Sequence, residues 1–553
     1  MAELLPPELT PPSAERRPNA SPHGAPDAAS APWTPDAAFT TLLGLSRPIP
    51  VVAADERAWD VDASRLPALA RGLAETGWRY VMLVGSDDRH LGGGFGVELV
   101  MERPSAPIVR LRAALRAAAP VYPSIGRVLP PALWDERELK DMLGIAPEGH
   151  PDPRRLVLHD SYPPGFHPLR RDAPAEVPPG PSQRRYVPFT AHGEGVYQLP
   201  VGPIHAGVIE PGHFRFSVVG ESILHLDARL FFTHRGVEKL VEGRPVHRAL
   251  EVLERSCGVC TVAHATAFCE AVERLAGTEP PVRAVRLRAV LAELERLYNH
   301  IGDLGNICAG ASFNVGSSQL GWLKERLLRI NEAVTGHRYL TGAVAPGGLV
   351  IQPTADVLAE VPGRLAEVET ELLAILHLIN RADAVLERFR GTGVLPADTA
   401  RRLGTVGVAA RASGLPIDLR RDRPSGAYRD LIVPLVESAS GDVAARFHVR
   451  AQEAIASLGL LRTLLSDLPA GPVRAAIGPI EPWATTLGWA EGPRGASWLW
   501  LRAGTGGTVD RLRLRSASYA NWTAVAAAAP GNLVPDFPLI NKSFELCYAC
   551  TDR

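Results

Sequence analysis

Two Cys-x-x-Cys pairs constrain this chain more than any other feature, because they stand about half of the 553-residue sequence apart. Cys257 and Cys260 form the first, in Arg255-Ser256-Cys257-Gly258-Val259-Cys260, with His264 four residues further on. Cys547 and Cys550 form the second, in Glu545-Leu546-Cys547-Tyr548-Ala549-Cys550-Thr551-Asp552-Arg553. Thiolates are soft ligands, so four of them point to zinc, an iron–sulfur cluster or another thiophilic metal. A local zinc ribbon closes within a span on the order of tens of residues, which argues against one here. If both pairs serve one site, the fold must bring its tail back onto its middle. Two unconnected buried thiol pairs, or a structural zinc clip between distant segments, are the alternatives. Ala265–Leu275 reads as a helix with Gly277 as its stop. The first pair then sits at a helix amino end, where the dipole lowers thiol pKa and favours thiolate.

The remaining cysteines, Cys269 and Cys308, have no paired neighbour and read as small core residues. Six cysteines, none before Cys257, make no disulfide framework and point to a reducing cytoplasm. A formal charge of -1 and a pI near 7.0 give no sign of a nucleic-acid or anionic-membrane partner. No apolar run reaches the roughly 18 residues of a membrane span, so membrane association would come through partners. Residues 1–44, rich in Pro and Ala, read as a disordered extension. Arg16-Arg17 runs into Pro18 and Asn19 with no apolar block behind it, which fits neither a secretory nor a twin-arginine signal.

The length calls for more than one domain. Residues 45–161 read as a small α/β domain. Tyr80–Val84 and Val97–Met101 are strand-like, and Leu66–Thr76 and Val109–Ala119 are helix-like. Gly92-Gly93-Gly94-Phe95-Gly96 precedes a strand rather than a helix, which predicts a hairpin turn and not a phosphate loop. A Pro-rich linker spans 162–190. Residues 191–553 open on a hairpin, with Phe214, Phe216 and Val218 alternating before Gly220-Glu221 and Leu224, Leu226, Ala228 and Leu230 after it. Beyond it helical stripes dominate, at Leu287–Ile301, Leu365–Ile379 and Phe447–Leu461. The fold class is therefore α+β: a small α/β domain fused to a mainly helical one with a β-hairpin or sheet at its start.

Arg-x-Cys-Gly-x-Cys-x-x-x-His resembles the amino-terminal metal motif of nickel–iron hydrogenase large subunits, and Cys-x-x-Cys-Thr-Asp-Arg resembles their carboxyl-terminal one. Other segments agree in order: Gly202-Pro203-Ile204-His205 and Glu210-Pro211-Gly212-His213, then His234-Arg235-Gly236-Val237-Glu238, then Glu491-Gly492-Pro493-Arg494-Gly495. Upstream, Trp134-Asp135-Glu136-Arg137-Glu138-Leu139-Lys140-Asp141-Met142 and Gly149-His150-Pro151-Asp152 resemble the 30 kDa subunit of complex I. That subunit fused ahead of a 49 kDa-like hydrogenase domain is the arrangement of group 4, formate-hydrogenlyase-type enzymes.

The resemblance implies reversible conversion of H2 to two protons and two electrons at a nickel–iron centre. Cys257 and Cys547 would be terminal nickel ligands. Cys260 and Cys550 would bridge nickel to an iron carrying carbon monoxide and cyanide. His264 would bond a cysteine sulfur, Arg494 would lie over the iron, and Glu210 would carry protons. His205 and His234 are weaker candidates, since either residue could simply satisfy loop backbone. The implied partners are a complex I-like small subunit carrying a 4Fe–4S cluster and integral membrane subunits. A maturation chaperone and protease are also implied, the protease because many family precursors are cut near the position of Arg553. The expected location is the cytoplasmic face of the cell membrane. Glu545-Leu546 stands where the family usually has Asp-Pro. A quinone-binding subunit of an NADH dehydrogenase-like complex and a scaffold clipped by zinc are the rival readings.

Overall fold

The computed structural model of the chain describes residues 37–44, 46–176, 186–206 and 209–553. Most of the expected extension lies outside the described residues, and its end needs correction. Ala37–Leu43 forms a helix, α1, whose Phe39 and Leu43 are buried. Phe39 meets the rings of Trp59 at 5.6 Å and Trp78 at 5.7 Å, an aromatic anchor that the Pro/Ala composition conceals.

The first sheet contains β1 (Arg47–Ile49), β2 (Glu56–Asp60), β3 (Arg79–Asp87), β4 (Phe95–Glu102) and β5 (Ile108–Leu115), in the order β1-β2-β5-β4-β3. β2 and β5 run parallel and the other pairs antiparallel. Helix α2 (Leu66–Glu75) packs on it, as its apolar stripe predicts. The β3–β4 hairpin turns through Gly92 at φ 78°, which accounts for the glycine run. β5 replaces the helix expected over Val109–Ala119. Val109, Leu111 and Ala113 face one core, Ile108 faces another, and Arg110 lies between Glu56 and Glu98. Alanine and arginine favour helix locally, and pairing along both edges overrides that propensity. Helix α3 (Leu133–Leu143) follows. Of the expected linker, residues 162–176 form neither helix nor strand, yet Phe166 and Leu169 are buried.

β6 (Val196–Val201), β7 (His213–Val219) and β8 (Ser222–Arg229) form an antiparallel sheet in the order β8-β7-β6. The expected hairpin is β7–β8, with a bulge between Ile223 and His225. The bulge puts Ile223 in the core and turns Leu224 out to solvent. Helices α4 (Thr261–Ala276), α5 (Val282–Gly310), α6 (Asn314–Thr335), α7 (Ala355–Asn380) and α8 (Val443–Ser466) then supply one large core. The three apolar stripes read from the sequence all lie in it.

A third sheet, β9 (Thr485–Gly492), β10 (Gly495–Ala503) and β11 (Val509–Arg515), replaces what the sequence suggested was only an arginine loop. Its strands are buried on both faces, so β9 and β10 lack the alternation that marks a half-exposed strand. Leu499, Leu501, Leu512 and Leu514 face the helical core, while Trp489, Trp498 and Trp500 pack on the first sheet. Helices α9 (Ala517–Ala528), α10 (Phe537–Phe544) and α11 (Tyr548–Asp552) end the chain. They share a core with β7, β8 and the first sheet, which returns the tail to the middle of the molecule. Among the described residues no helix is long and apolar enough to cross a membrane.

Candidate metal centre

Helix α5 organises the site. Glu295 accepts from the amides of Val262 at 2.6 Å and Ala263 at 3.1 Å, in the first turn of α4. Tyr298 Oη donates to Gly258 O at 3.1 Å and Asn299 Nδ2 to Val259 O at 3.0 Å, which pins the Cys257–Cys260 loop. Arg296 donates to Gly492 O at 3.0 Å and Glu491 O at 2.6 Å, which holds the Gly492–Gly495 turn. These residues share one buried stretch of helix, so the first cysteine pair and the arginine turn are fixed by the same rigid element.

The tail brings the second pair. Cys547 caps α11, its Sγ accepting from Cys550 N at 3.3 Å, and its own amide donates to Ser518 Oγ at 3.0 Å. Trp522 Nε1 donates to Thr551 Oγ1 at 3.0 Å, and Asp552 accepts from Phe231 N at 2.9 Å and Thr233 N at 3.0 Å. The result is a closed cluster. Cys547 Sγ lies 3.3 Å from Cys257 Sγ, and the sulfurs of Cys257, Cys260 and Cys550 all lie within 4.8 Å of one another. Cys257, Cys260 and Cys550 are buried and Cys547 is partly so.

Four thiols this close cannot all ionise without a cation between them. Hydrogen bonds from Cys257 and Cys550 pull Cys260 down, while its bond with Cys257 pushes Cys547 up to about 12. Cys550 is driven upward by its bonds with Cys257, Cys260 and Cys547. A soft metal ion removes that conflict, because thiolates bound to it no longer repel one another unscreened. The donor set and its burial therefore fit a thiolate metal centre. By contrast Cys269 and Cys308 sit in the helical core, where burial raises both thiols, Cys308 to about 12.

His264 lies one turn along α4 from Cys260 and is fully buried. Its Nδ1 meets Ser256 Oγ at 3.1 Å, and its Nε2 has no hydrogen-bond partner among the described residues. Burial lowers its pKa to about 4, which keeps the ring neutral. Arg494 tops the β9–β10 turn and is buried. Its guanidinium grips Asp303 of α5, one contact being 2.8 Å, and approaches Glu545 to 3.8 Å. Its Nε also has no partner among the described residues. Glu210 is half-buried and accepts from Ala549 N at 3.1 Å, between the two tail cysteines. Burial first, and the nearby Cys547 next, raise its pKa.

His205 and His234 both serve backbone. His205 Nε2 donates to Gly212 O at 2.8 Å and His234 Nδ1 to Asp552 O at 2.6 Å. A carbonyl only accepts, so each of these nitrogens carries its proton. Three acids carry no functional mark in the sequence, where Glu545 stands out only as part of the Glu545-Leu546 departure from Asp-Pro. Glu295 and Asp303 stand two helical turns apart among polar residues of a buried helix, the one signal that distinguishes them. Glu545, in the left-handed region at φ 54°, accepts from Asn306 Nδ2 at 2.5 Å.

Comparison with known proteins agrees with this layout. Residues 59–179 match the family described as respiratory-chain NADH dehydrogenase, 30 Kd subunit, and 322–482 match its 49 Kd subunit. Residues 235–304, which hold the first cysteine pair, match nickel-dependent hydrogenase. The chain is 35% identical to Formate hydrogenlyase subunit 5 of Escherichia coli (strain K12) over 532 residues, 93% of each chain. It is 35% identical to Hydrogenase-4 component G of the same organism over 483 residues, 86% of this chain and 84% of the relative. It is also 35% identical to a component of the NADH-quinone oxidoreductase of Salinispora arenicola (strain CNS-205) over 361 residues, 64% of this chain and 93% of the relative.

Proposed function

This chain belongs to the complex I-like, group 4 family of nickel–iron hydrogenase large subunits, with a 30 kDa-type part fused ahead of a 49 kDa-type part, and from that premise we propose that it is the catalytic large subunit of a membrane-associated hydrogenase. The reaction is reversible conversion of H2 to two protons and two electrons. The observation that carries the proposal is the convergence of four sulfurs from two distant pairs in one largely buried cluster.

In this reading Cys257 and Cys547 would hold nickel, and Cys260 and Cys550 would serve both nickel and an iron carrying carbon monoxide and cyanide. When bound, that pair would supply the Lewis acidity and two-electron capacity that H2 cleavage requires. The chain supplies the rest. Arg494, locked by Asp303, presents a fixed positive charge where the reaction polarises its substrate. His264, held neutral, offers Nε2 to a sulfur without adding charge to the pocket. Glu210, its pKa raised by burial and by the nearby Cys547, receives the proton at its Oε atoms and releases it outward.

After its four ligands the chain has only Cys269 and Cys308, both in the helical core, so electrons leave through an iron–sulfur small subunit of complex I type. Association with the cytoplasmic face of the membrane comes through further subunits. On this reading the chain divides into a first domain at 45–161, on which α1 also packs, and a second at 191–553.

The relationship to the Salinispora NADH-quinone oxidoreductase component favours a second reading, a quinone-binding module. Exchange between D2 gas and water by the purified, matured complex separates the two. The hydrogenase reading expects exchange that disappears in Cys260→Ser. A complex that reduces quinone and shows no exchange would establish the quinone module instead.

A further inference from the structure

The motif Trp134–Asp141 of the 30 kDa-like part has no place in the chemistry above, yet its acids are buried. On α3 the spacing of Asp135 and Glu138 places both on one helix face. That face meets β11, whose Arg511, Arg513 and Arg515 alternate with Leu512 and Leu514, and it meets the tail residue Arg553.

The contacts form one network across the fusion. Arg513 bonds Asp135 and Glu138 together and lies 3.1 Å from Glu238. Arg553 reaches Glu138 Oε2 at 2.8 Å and Oε1 at 2.9 Å, and Glu238 Oε1 at 3.0 Å. Arg515 approaches Asp135 at 3.3 Å and Arg511 donates to Glu238 at 2.8 Å. Four guanidiniums thus share three carboxylates, with all seven side chains buried. Trp134 packs edge-on against Tyr519 at 5.5 Å and Phe231 at 5.9 Å, sealing one side. Arg553 O also accepts from Arg235 N at 2.7 Å.

Positive charge already exceeds negative in this cluster. Removing the Glu138 carboxylate leaves Arg553 with Glu238 as its one carboxylate partner, and that carboxylate is already divided among Arg511, Arg513 and Arg553. A buried guanidinium short of carboxylate partners is strongly unfavourable, and Arg553, which also donates to Leu514 O, is the member best able to leave, since it caps a five-residue helix while the other three arginines sit in a strand. Cys550 is three residues away on that same turn.

We propose that Glu138 is a positioning residue: the 30 kDa-like part clamps Arg553 and thereby holds the turn that carries Cys547 and Cys550 against Cys257 and Cys260. The inference rests on the reading of these cysteines as metal ligands, and it gives the fused domain a role at the centre itself.

The test compares amide hydrogen exchange in the metal-free full chain with nickel content in the matured complex. In Glu138→Gln, exchange at residues 548–553 rises about tenfold or more while α5 and the first sheet keep their protection. Arg553→Met, which removes the clamped group and leaves Glu138 with Arg513, produces the same local rise. The double variant exchanges no faster than either single one, because both break one interaction. Nickel retention falls in parallel in each. Unchanged exchange at 548–553 in both single variants would overturn the clamp. So would a uniform rise through the whole chain, which marks general destabilisation. Absence of nickel from the unaltered matured complex would overturn the ligand reading alone, and the metal-free exchange would still decide the clamp.

Discussion

A serine at Cys550 differs from the native residue by one atom, yet it exchanges a soft, readily ionised donor for a hard one. Cys550→Ser is therefore expected to abolish both metal retention and H2 turnover, measured by elemental analysis and gas exchange on the matured complex. Cys308→Ala, one buried thiol outside the cluster, should leave both intact and cost about 1–2 kcal/mol of stability. Glu210→Gln separates proton transfer from cleavage. The amide keeps an acceptor for Ala549 N but cannot ionise. Metals should be retained and para/ortho H2 interconversion should persist, while exchange with solvent falls by about 10²-fold or more. Undiminished solvent exchange would exclude Glu210 as the obligatory proton route. At this scale the sulfurs are legible in sequence because two identical spacings recur, one near the middle of the chain and one in its tail. Glu295 and Glu545 are not, because each owes its importance to a partner in a remote segment: the α4 amides for one, Asn306 for the other.

Helix α5 shows why element-level reading succeeds and stops short. Its apolar stripe is plain, and the stripe does face a core. Most of its polar residues are buried as well, Asn306 being exposed, and a helix buried nearly all round has little solvent face to mark the functional one. Glu293 illustrates the second face. It accepts from Tyr428 Oη at 2.6 Å, Ser457 Oγ at 2.6 Å and Arg420 at 3.1 Å, tying α5 to α8 and to the 420–428 segment. Burial opposes its ionisation, but the charges of Arg296 and Arg420 outweigh that and hold its pKa down to about 2. A carboxyl lowered on folding contributes stability that is complete above its unfolded value of 4.5 and is lost as pH falls through the folded one. The thermal midpoint should therefore drop between about pH 4.5 and 2, and Glu293→Gln should flatten that part of the curve while lowering the midpoint at neutral pH. An unchanged acid limb in the variant would show that other carboxyls govern the transition. β9 marks the opposite failure, since a strand buried on both faces carries no alternation for a sequence pattern to detect, whereas β5 does alternate, Val109, Leu111 and Ala113 against Arg110 and Arg112, and is masked by the helix propensity of its alanines and arginines.

At the scale of the whole molecule, the first sheet is covered on both faces. One side shares a core with β7, β8 and the tail helices, and the other packs on the tryptophans of β9 and β10. Order along the chain predicts two domains in series. The tail's return, with Arg553 between Glu138 and Glu238, depends on pairings hundreds of residues apart and leaves no local pattern. On the proposed function these long-range contacts assemble one thiolate centre for nickel and iron. Elemental analysis with infrared spectroscopy on the complex purified after native maturation tests it most directly. One nickel and one iron per chain are expected, with bands from carbon monoxide and cyanide that vanish in Cys550→Ser. Stoichiometric zinc in the native complex, with those bands absent, would contradict it.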